Sequence, residues 1–489
     1  MNNLIFTIGW IVLPFCLGFG IYLIPKLHKF FALFGAIVSV GYALQLLVSK
    51  KTFVFELLDN FGVTLILDEL SGYFILTNAL VAVAVILYCW RTEKTAFFYA
   101  QTLILHGSVN AAFACADFIS LYVALEVSGI AAFLLVAYPR SDRSIWVALR
   151  YLFVSNVAML FYLIGAVLVY KSNHSFHFDG LVNAPPEAVA LIFLGLLVKG
   201  GVFVSGLWLP LTHSEAETPV SAMLSGAVVK AGVYPLVRCA LMVEALDPVV
   251  RVFGVGAALI GAFYAFFERD TKRMLALSTI SQLGWILAAP QVAGLYALTH
   301  GLGKSALFLT AGGAFPSRNF QELQQRSIDP RIWMVALVAS LSISGFPLLS
   351  GFAAKALTTD RLLPWQDIIM NVGAVGTAMV YAKFIFLPHR QQEQASEDRK
   401  NVAPGFSMAA IFLLVGLIAA NGFYIQAYTV GKIGKAIATI VLGWLAYFAI
   451  TQRVEFKLPR ALEQFEHLIG VMSLMLIVLF WMVWARSGI

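Results

Sequence analysis

Charge is what this chain has least of. Only 12% of its 489 residues are Asp, Glu, Lys or Arg, while 60% are apolar; soluble domains run about 25% charged. That deficit excludes a water-soluble fold of this length. The net charge of +7 is small. The Lys and Arg residues fall in short scattered clusters rather than on one face, which excludes a nucleic-acid-binding surface. Cysteine is nearly absent: Cys16, Cys89, Cys115 and Cys239 show no CxxC spacing and sit in or beside apolar runs. They read as small buried hydrophobes and give no disulfide framework, zinc site, iron–sulfur cluster or haem attachment. With no cofactor motif, the chain is expected to bind none and to do no redox chemistry itself. The apolar runs lack period-two alternation, which excludes a β-barrel. Residues 1–4 carry no basic side chain and 5–24 no small-residue cleavage site. The first apolar run is therefore expected to be a span rather than a cleavable signal.

What is present is apolar sequence in runs long enough to cross a bilayer, about 20 residues each. Sixteen spans are expected, at 4–24, 30–48, 70–90, 95–116, 118–138, 144–170, 186–209, 219–244, 249–267, 272–288, 292–313, 332–359 (interrupted), 365–386, 406–424, 434–450 and 467–485. The expected fold class is an all-α polytopic membrane protein. Loops after odd-numbered spans hold most of the basic residues, among them Lys26, Lys29, Arg91, Lys94, Arg140, Arg143, Arg269, Lys272, Arg273, Arg318 and Arg390. Loops after even-numbered spans hold fewer, such as Lys50, Lys51, Lys171, Arg361 and Lys432. This bias puts the odd loops in the cytoplasm and both termini outside. Segment 52–68 alternates around Asn60-Phe61-Gly62 and reads as a short hairpin on the outer face. Segment 391–401 is polar and charged and reads as a mobile cytoplasmic loop.

Ionisable residues deep in spans carry the functional signal, because a charge there is costly and usually marks an ion or proton pathway. They are Glu126, Lys199, Lys230, His300, Lys304, Lys355 and Lys383. Glu126 has no neighbour in sequence to neutralise it; the blander reading is a hydrogen-bonded structural carboxylate. Lys199 precedes Gly200-Gly201, with Pro210 beyond, which suggests a helix broken at membrane depth around a polar cavity. Lys230 is followed by Pro235, which leaves the carbonyl of Ala231 unbonded. Snorkelling to an interface competes for Lys199 but poorly for Lys230, which stands far from both helix ends. His300 and Lys304 are four apart and share a helix face. A lone histidine would more often be structural; one near its solution pKa of about 6.5, with a lysine one turn away, suits a proton relay. Lys355 follows Gly345, Pro347 and Gly351, a second break. For Lys383, near a cytoplasmic end, interface anchoring weighs as much as function. Two broken helices five spans apart suggest an internal repeat, spans four to eight matching nine to thirteen, inverted because five is odd. The match is imperfect: Glu126 in the first copy corresponds to Gln282 in the second.

These motifs resemble one family: the antiporter-like membrane subunits of complex I, Mrp-type multisubunit sodium/proton antiporters and membrane-bound hydrogenases. The resemblance rests on Trp208-Leu-Pro-Leu-Thr-His-Ser-Glu-Ala-Glu-Thr-Pro-Val-Ser-Ala-Met-Leu-Ser-Gly-Ala-Val-Val-Lys-Ala-Gly-Val-Tyr234. It is supported by Asp270-Thr-Lys-Arg-Met-Leu-Ala-Leu-Ser-Thr-Ile-Ser-Gln-Leu-Gly284, by the His300–Lys304 segment and by Gly345 to Lys355. It covers roughly residues 60–425. It implies that Glu126 resembles the family's glutamate of the fifth helix and Lys199 its partner lysine in the broken seventh. Lys230 resembles the central lysine of the eighth helix, His300 and Lys304 the connecting relay, and Lys355 the terminal residue of the broken twelfth. His213 and Lys383 are additional candidates. Glu217 departs from the pattern, standing where proline is common, and the last two spans extend beyond a fourteen-helix core. There is no long lateral helix of the kind the largest complex I antiporter-like subunit carries.

The implied organisation is N-terminal helices at 1–94, a first five-helix proton half-channel at 95–244, a second at 245–386, and a loop with C-terminal helices at 387–489. The first functional reading is a subunit of an Mrp-type cation/proton antiporter, with sodium or another cation coupled to proton movement. The alternative is a proton-pumping subunit of a complex I-like NADH or ferredoxin–quinone oxidoreductase, including forms used in inorganic-carbon uptake. Either reading implies partner membrane subunits, protons and a lipid bilayer. The implied location is the cytoplasmic membrane of a prokaryote, or a thylakoid membrane if photosynthetic. A membrane hydrolase using His213, Ser214 and Glu215 is disfavoured, since adjacent residues cannot converge on one atom and no HExxH or GxSxG is present. The charge bias makes one direct prediction. A cysteine placed at Gln394 should be protected from an impermeant thiol reagent in intact cells, and rapid labelling there would reverse the orientation.

Overall fold

The computed structural model describes residues 2–58, 61–390, 402–422, 424–451 and 460–485. Two long helices open it, α1 (Asn2–Leu23) and α2 (His28–Ser49), followed by an antiparallel hairpin of β1 (Phe53–Glu56) and β2 (Thr64–Leu67). Its register pairs Phe53 with Leu67 and Glu56 with Thr64. The expected turn at Asn60 lies outside the described residues, as do Gln394 with the rest of 391–401, and Ile489.

Then come α3 (Glu69–Cys89), α4 (Ala96–Ala114), α5 (Phe118–Val136), α6 (Asp142–Asn173), α7 (Pro186–Gly200), α8 (Leu209–Glu215), α9 (Thr218–Met223), α10 (Val229–Met242), α11 (Asp247–Phe267), α12 (Thr271–Ala288), α13 (Ala293–Gly313) and α14 (Phe320–Gln325). The last are α15 (Pro330–Ser344), α16 (Ser350–Thr359), α17 (Pro364–Ile385), α18 (Phe406–Gly422), α19 (Val430–Thr451) and α20 (Phe465–Trp484). Side-chain caps set several starts: Asp68, Asp117, Ser141 and Asp270 each accept from the backbone N–H three residues on.

All sixteen expected segments are helical. Eleven helical stretches among the described residues are long and apolar enough to cross a membrane on their own. The other five expected spans explain themselves physically. Helices α4, α12 and α13 are buried almost all round, so they need not be apolar toward lipid and carry Asn110, Gln282 and His300 inward. Helices α15 and α18 are short.

The neighbour pattern is written twice. Helix α4 packs on α5, α5 on α6, α6 on α7, α7 on α10, and α10 back on α4. Helix α11 packs on α12, α12 on α13, α13 on α15, α15 on α17, and α17 back on α11. The two breaks also match. In α7 the N–H of Gly201 bonds the carbonyl of Val198 and the N–H of Val202 that of Leu197. In α15 the N–H of Gly345 bonds the carbonyl of Ser342 and the N–H of Phe346 that of Leu341. Gly201 and Gly345 have φ of +65° and +88°, the left-handed region in which glycine ends a helix without strain.

Helix α20 packs along α7 and the 3-10 turn Phe203–Trp208 that follows the first break. It is tethered by a charge cluster. Arg273 donates to both oxygens of Glu463 at 2.5 and 2.6 Å and to Glu268 at 3.1 Å, and Arg150 donates to the carbonyl of Glu463. Burial pushes the Glu268 carboxyl up. The Arg273 guanidinium and the N–H groups of Asp270 and Arg269 outweigh that and hold it below its ordinary value. A carboxyl lowered in the folded state contributes stability above its unfolded pKa, about 4.3, and loses it as pH falls through that range. Arg273→Ala, which strands the carboxylates, is expected to cost about 3–5 kcal/mol at pH 7. Thermal unfolding in detergent reads this. The variant should also lose less than the parent when pH is lowered from 6 to about 4. An unchanged midpoint at pH 7 would show that the cluster does not hold the C-terminal segment.

Candidate functional site

The helices buried on every side meet at the centre of the bundle, and Lys230, His300 and Lys304 sit there. Lys230 is fully buried. It lies just past a π-helical turn, Leu224–Val228, whose irregular spacing leaves carbonyls aimed at the next turn. Its ammonium donates to the carbonyls of Gly226 at 2.6 Å and Ser225 at 3.1 Å. Ser225 in turn meets Thr279 of α12 at 2.7 Å. Across from Lys230 stands α13. A Cβ at Gly301, next to His300, would lie 3.6 Å from the Lys230 nitrogen, an ordinary contact, but only 2.9 Å from the Gly226 carbonyl oxygen that holds that amine, and closer still to Thr77.

One turn along α13, Lys304 is fully buried. It donates to the carbonyl of Leu275 at 2.7 Å and to the Ser278 hydroxyl, and lies 5.5 Å from the Tyr381 ring centre. His300 is buried too, and neither ring nitrogen has a hydrogen-bond partner among the described residues. It borders a small cavity with Gln282, Tyr296, Thr299, Ser342 and Gly351. The hydroxyls of Ser342, Ser344 and Ser350, around the second break, are likewise buried and unpartnered. Lys355 lies beyond them. Its amine donates to the carbonyl of Ser344 at 3.2 Å and lies 5.1 Å from the Trp285 ring centre. Lys230, His300, Lys304 and Lys355 therefore stand along one polar line from α10 to α16.

The first-repeat pair is arranged differently from a closed ion pair. Lys199 donates to the Ser155 hydroxyl at 2.7 Å. Its nitrogen lies over Gly129, where a Cβ would be 2.6 Å away. Gly129 is one turn from Glu126 on α5. No Lys199–Glu126 contact within 4 Å occurs among the described residues, and one Glu126 oxygen is buried without a partner. The Glu126 charge still acts on Lys199 electrostatically. Lys383 lies off the line. It caps the end of α11, donating to the carbonyls of Glu268 at 2.5 Å and Phe266 at 3.1 Å. Glu217, the departure from the family pattern, pairs with Lys94 at 2.6 Å.

One feature was missed from sequence. Lys272, counted above as a loop cation, is buried and donates to the carbonyl of Ala216 at 2.5 Å. Beside it His213 stacks on Phe308 at 4.7 Å with both nitrogens unpartnered among the described residues. Lys272 and Lys304 both act on His213 electrostatically, which joins it to the central line. The only sequence signal was that Lys272 follows an N-capping Asp270, which puts it inside a helix rather than in a loop.

No carboxylate lies within 4 Å of Lys199, Lys230, Lys304 or Lys355 among the described residues. Amines held by carbonyls and hydroxyls can be charged or neutral without breaking an ion pair, which suits hand-to-hand proton transfer. Residues 115–380 match the sequence profile of the family described as "NADH:quinone oxidoreductase/Mrp antiporter, TM". The chain is similar to NADH-quinone oxidoreductase subunit N of Desulforudis audaxviator, 32% identical, covering 81% of this chain and 85% of that one. It is similar to the D-type polypeptide of the Na(+)/H(+) antiporter of Alkalihalophilus pseudofirmus, 26% identical, covering 86% and 94%. Its fold resembles a chain in the structure of the Mrp complex from Dietzia sp., with a TM-score of 0.76 at 22% identity, covering 98% of this chain and 60% of that one.

The Glu126–Lys199 geometry generates a prediction. A lone buried charge is far costlier than a pair. With Glu126 and Lys199 coupled, Glu126→Gln should impair proton exchange severely and Glu126→Asp should retain part of it. The double variant, Glu126→Gln with Lys199→Gln, should assemble better than either single variant yet not transport. Equal assembly and parental exchange across all of them would reduce Glu126 to a structural carboxylate.

Proposed function

The chain belongs to the NADH:quinone oxidoreductase/Mrp antiporter membrane family, and we propose that it is the proton-conducting subunit of an Mrp-type cation/proton antiporter. Protons move along Lys230, His300, Lys304 and Lys355, gated by Glu126 and Lys199, and are coupled to sodium or another cation bound in the assembly. His213 with Lys272 forms a side entry to Lys304. Residues 95–244 and 245–386 are the two half-channels, with the odd loops cytoplasmic and partner membrane subunits completing the complex. The observation that carries this reading is the set of amines at Lys230, Lys304 and Lys355 held by carbonyls and hydroxyls, together with the unpartnered imidazole of His300 and hydroxyls of Ser342 and Ser344. Buried polar groups are satisfied by protein or by water, and the small cavity that His300 shares with Ser342 is where a bridging water would carry the path toward Lys355.

The second reading, a pumping subunit of a complex I-like quinone oxidoreductase, has its own support. The relative at 32% identity carries that name, and the same line of groups serves either assembly. Affinity purification of the native complex separates them: small antiporter subunits favour the first, hydrophilic iron–sulfur subunits the second.

Lys230 is the residue to test. Lys230→Ala is tolerated by a helix and should preserve assembly. It should lower proton exchange by about 100-fold or more, the scale of a lost proton-transfer group. Lys230→Arg should fail as well, because arginine does not release its proton. Exchange is read in vesicles with a pH-sensitive dye; near-parental exchange in the arginine variant rules out a proton-carrying role.

A further inference from the structure

The end of the line at Lys355 opens into a second cavity, of about 150 Å3. Its inner end is Lys355 with Ser344; its outer part holds Asp360 and Asn371. One wall comes from α19, through Lys432, Lys435, Ala436 and Thr439. That helix begins at residue 430, past the end of the family resemblance near 425. It is seated on α17 at Gly443, where a Cβ would come 2.5 Å from the Ala378 Cβ. Two ion pairs tie its start to the rim: Lys432 to Asp360 at 2.6 Å and Lys435 to Asp367 at 3.7 Å. Asp360 lies directly after α16, five residues beyond Lys355, and its side chain is 44% exposed. The cavity therefore runs from the half-buried Lys355 ammonium to a half-exposed carboxylate at the loop after the twelfth span. Its volume is well above the roughly 10–15 Å3 that one water needs.

We propose that α19 builds the outlet of the proton path, and that Asp360 carries the proton from Lys355 to the outer medium. This rests on the proton-relay reading above. An Nζ–H bond of the Lys355 ammonium breaks and its proton passes through water in the cavity to a carboxylate oxygen of Asp360. Lys355 is left as the neutral amine and Asp360 as the carboxylic acid, which then gives the proton to bulk water and returns to the carboxylate. Lys432 is a positioning residue. Its ammonium sits on Asp360, favours the carboxylate that must accept the next proton, and holds α19 against the rim. The C-terminal extension thus becomes part of the transport path rather than an added anchor.

The test uses the intact complex in vesicles whose outer face is reachable, with Cys16, the one exposed native cysteine, replaced by serine. Ala436→Cys is labelled from that face with a charged, impermeant thiosulfonate, and exchange is compared before and after labelling in the same sample. Val430→Cys, on the same helix but outside the cavity, is the labelled control. Labelling at 436 should lower exchange at least tenfold, reversibly with reductant, while labelling at 430 should not. Asp360→Asn should also slow exchange and Asp360→Glu should rescue it, whereas Lys432→Met, which breaks the same tie but keeps the carboxylate, should cost less than Asp360→Asn. The outlet is overturned if 436 cannot be labelled from that face, if complete labelling leaves the rate unchanged, or if Lys432→Met equals Asp360→Asn. Lys230→Ala in the same vesicles keeps the two ideas apart. If it abolishes exchange while the outlet tests fail, only the outlet is wrong; if exchange survives it, the relay reading itself has failed.

Discussion

An ammonium inside a bundle of helices has to be solvated by something, and here it is solvated by backbone carbonyl oxygen. Lys230 uses the π-turn carbonyls of Ser225 and Gly226, Lys304 that of Leu275, and Lys355 that of Ser344 at the second break. Lys272 uses Ala216 at the end of α8, and Lys383 uses the end of α11. Helix ends and irregular turns are where carbonyls lack helical partners and carry partial negative charge. Leu275 lies within regular α12; the π-turn, the second break and the ends of α8 and α11 supply the other acceptors. A carboxylate in the same places would lock the amine into a permanent pair. A carbonyl stabilises the charged amine without forbidding the neutral one, and that tolerance is what proton transfer along a chain of lysines requires.

The same constraint explains why the two halves share a backbone design while differing in side chains. Each break ends its helix with the same pair of bonds and a left-handed glycine. The lysine sits two residues before the first glycine and ten after the second. In the first half Lys199 consequently looks toward α5 and α6, to Gly129 and Ser155. In the second half Lys355 folds back over the break to Ser344 and Trp285. One half puts its lysine within the electrostatic reach of Glu126; the other, with Gln282 in place of the carboxylate, points its lysine at an opening. The asymmetry in charge matches an asymmetry in what each lysine faces.

Much of this was legible in the sequence. The spans were readable because lipid demands apolar length. The buried lysines stood out because each interrupts a long apolar run, and the breaks because paired glycines or a glycine with proline sit beside two of them. What was not legible depends on contacts between distant segments. Ser155 as the partner of Lys199 comes from forty-four residues away. Lys272 looks like a loop cation until α8 and its following elbow are laid over it. The π-turn at Leu224–Val228 has no sequence mark of its own, since Leu, Ser, Gly, Ala and Val are equally at home in an ordinary helix. Nor does hydropathy show that α4, α12 and α13 touch protein on nearly every side, which is what permits their polar residues.

The C-terminal extension follows from the breaks as well. A helix interrupted at membrane depth exposes backbone groups that lipid cannot satisfy, so irregular backbone there must face protein or a water-filled cavity. Helix α20 lies along α7 and the 3-10 turn after the first break, tethered through Glu463 to Arg273. Helix α19 lies along α17 and walls the cavity beside the second. Helix α20 thus covers the first broken helix, whereas α19 walls the cavity beside the second. Along α7 the cover buries apolar side chains such as Leu468, Met472 and Met475. Beside Lys355 the wall brings two lysines and leaves water-sized space. A purely stabilising extension would be expected to seal both breaks in the same way; this one closes the half whose lysine answers to a carboxylate and leaves open the half whose lysine ends the line.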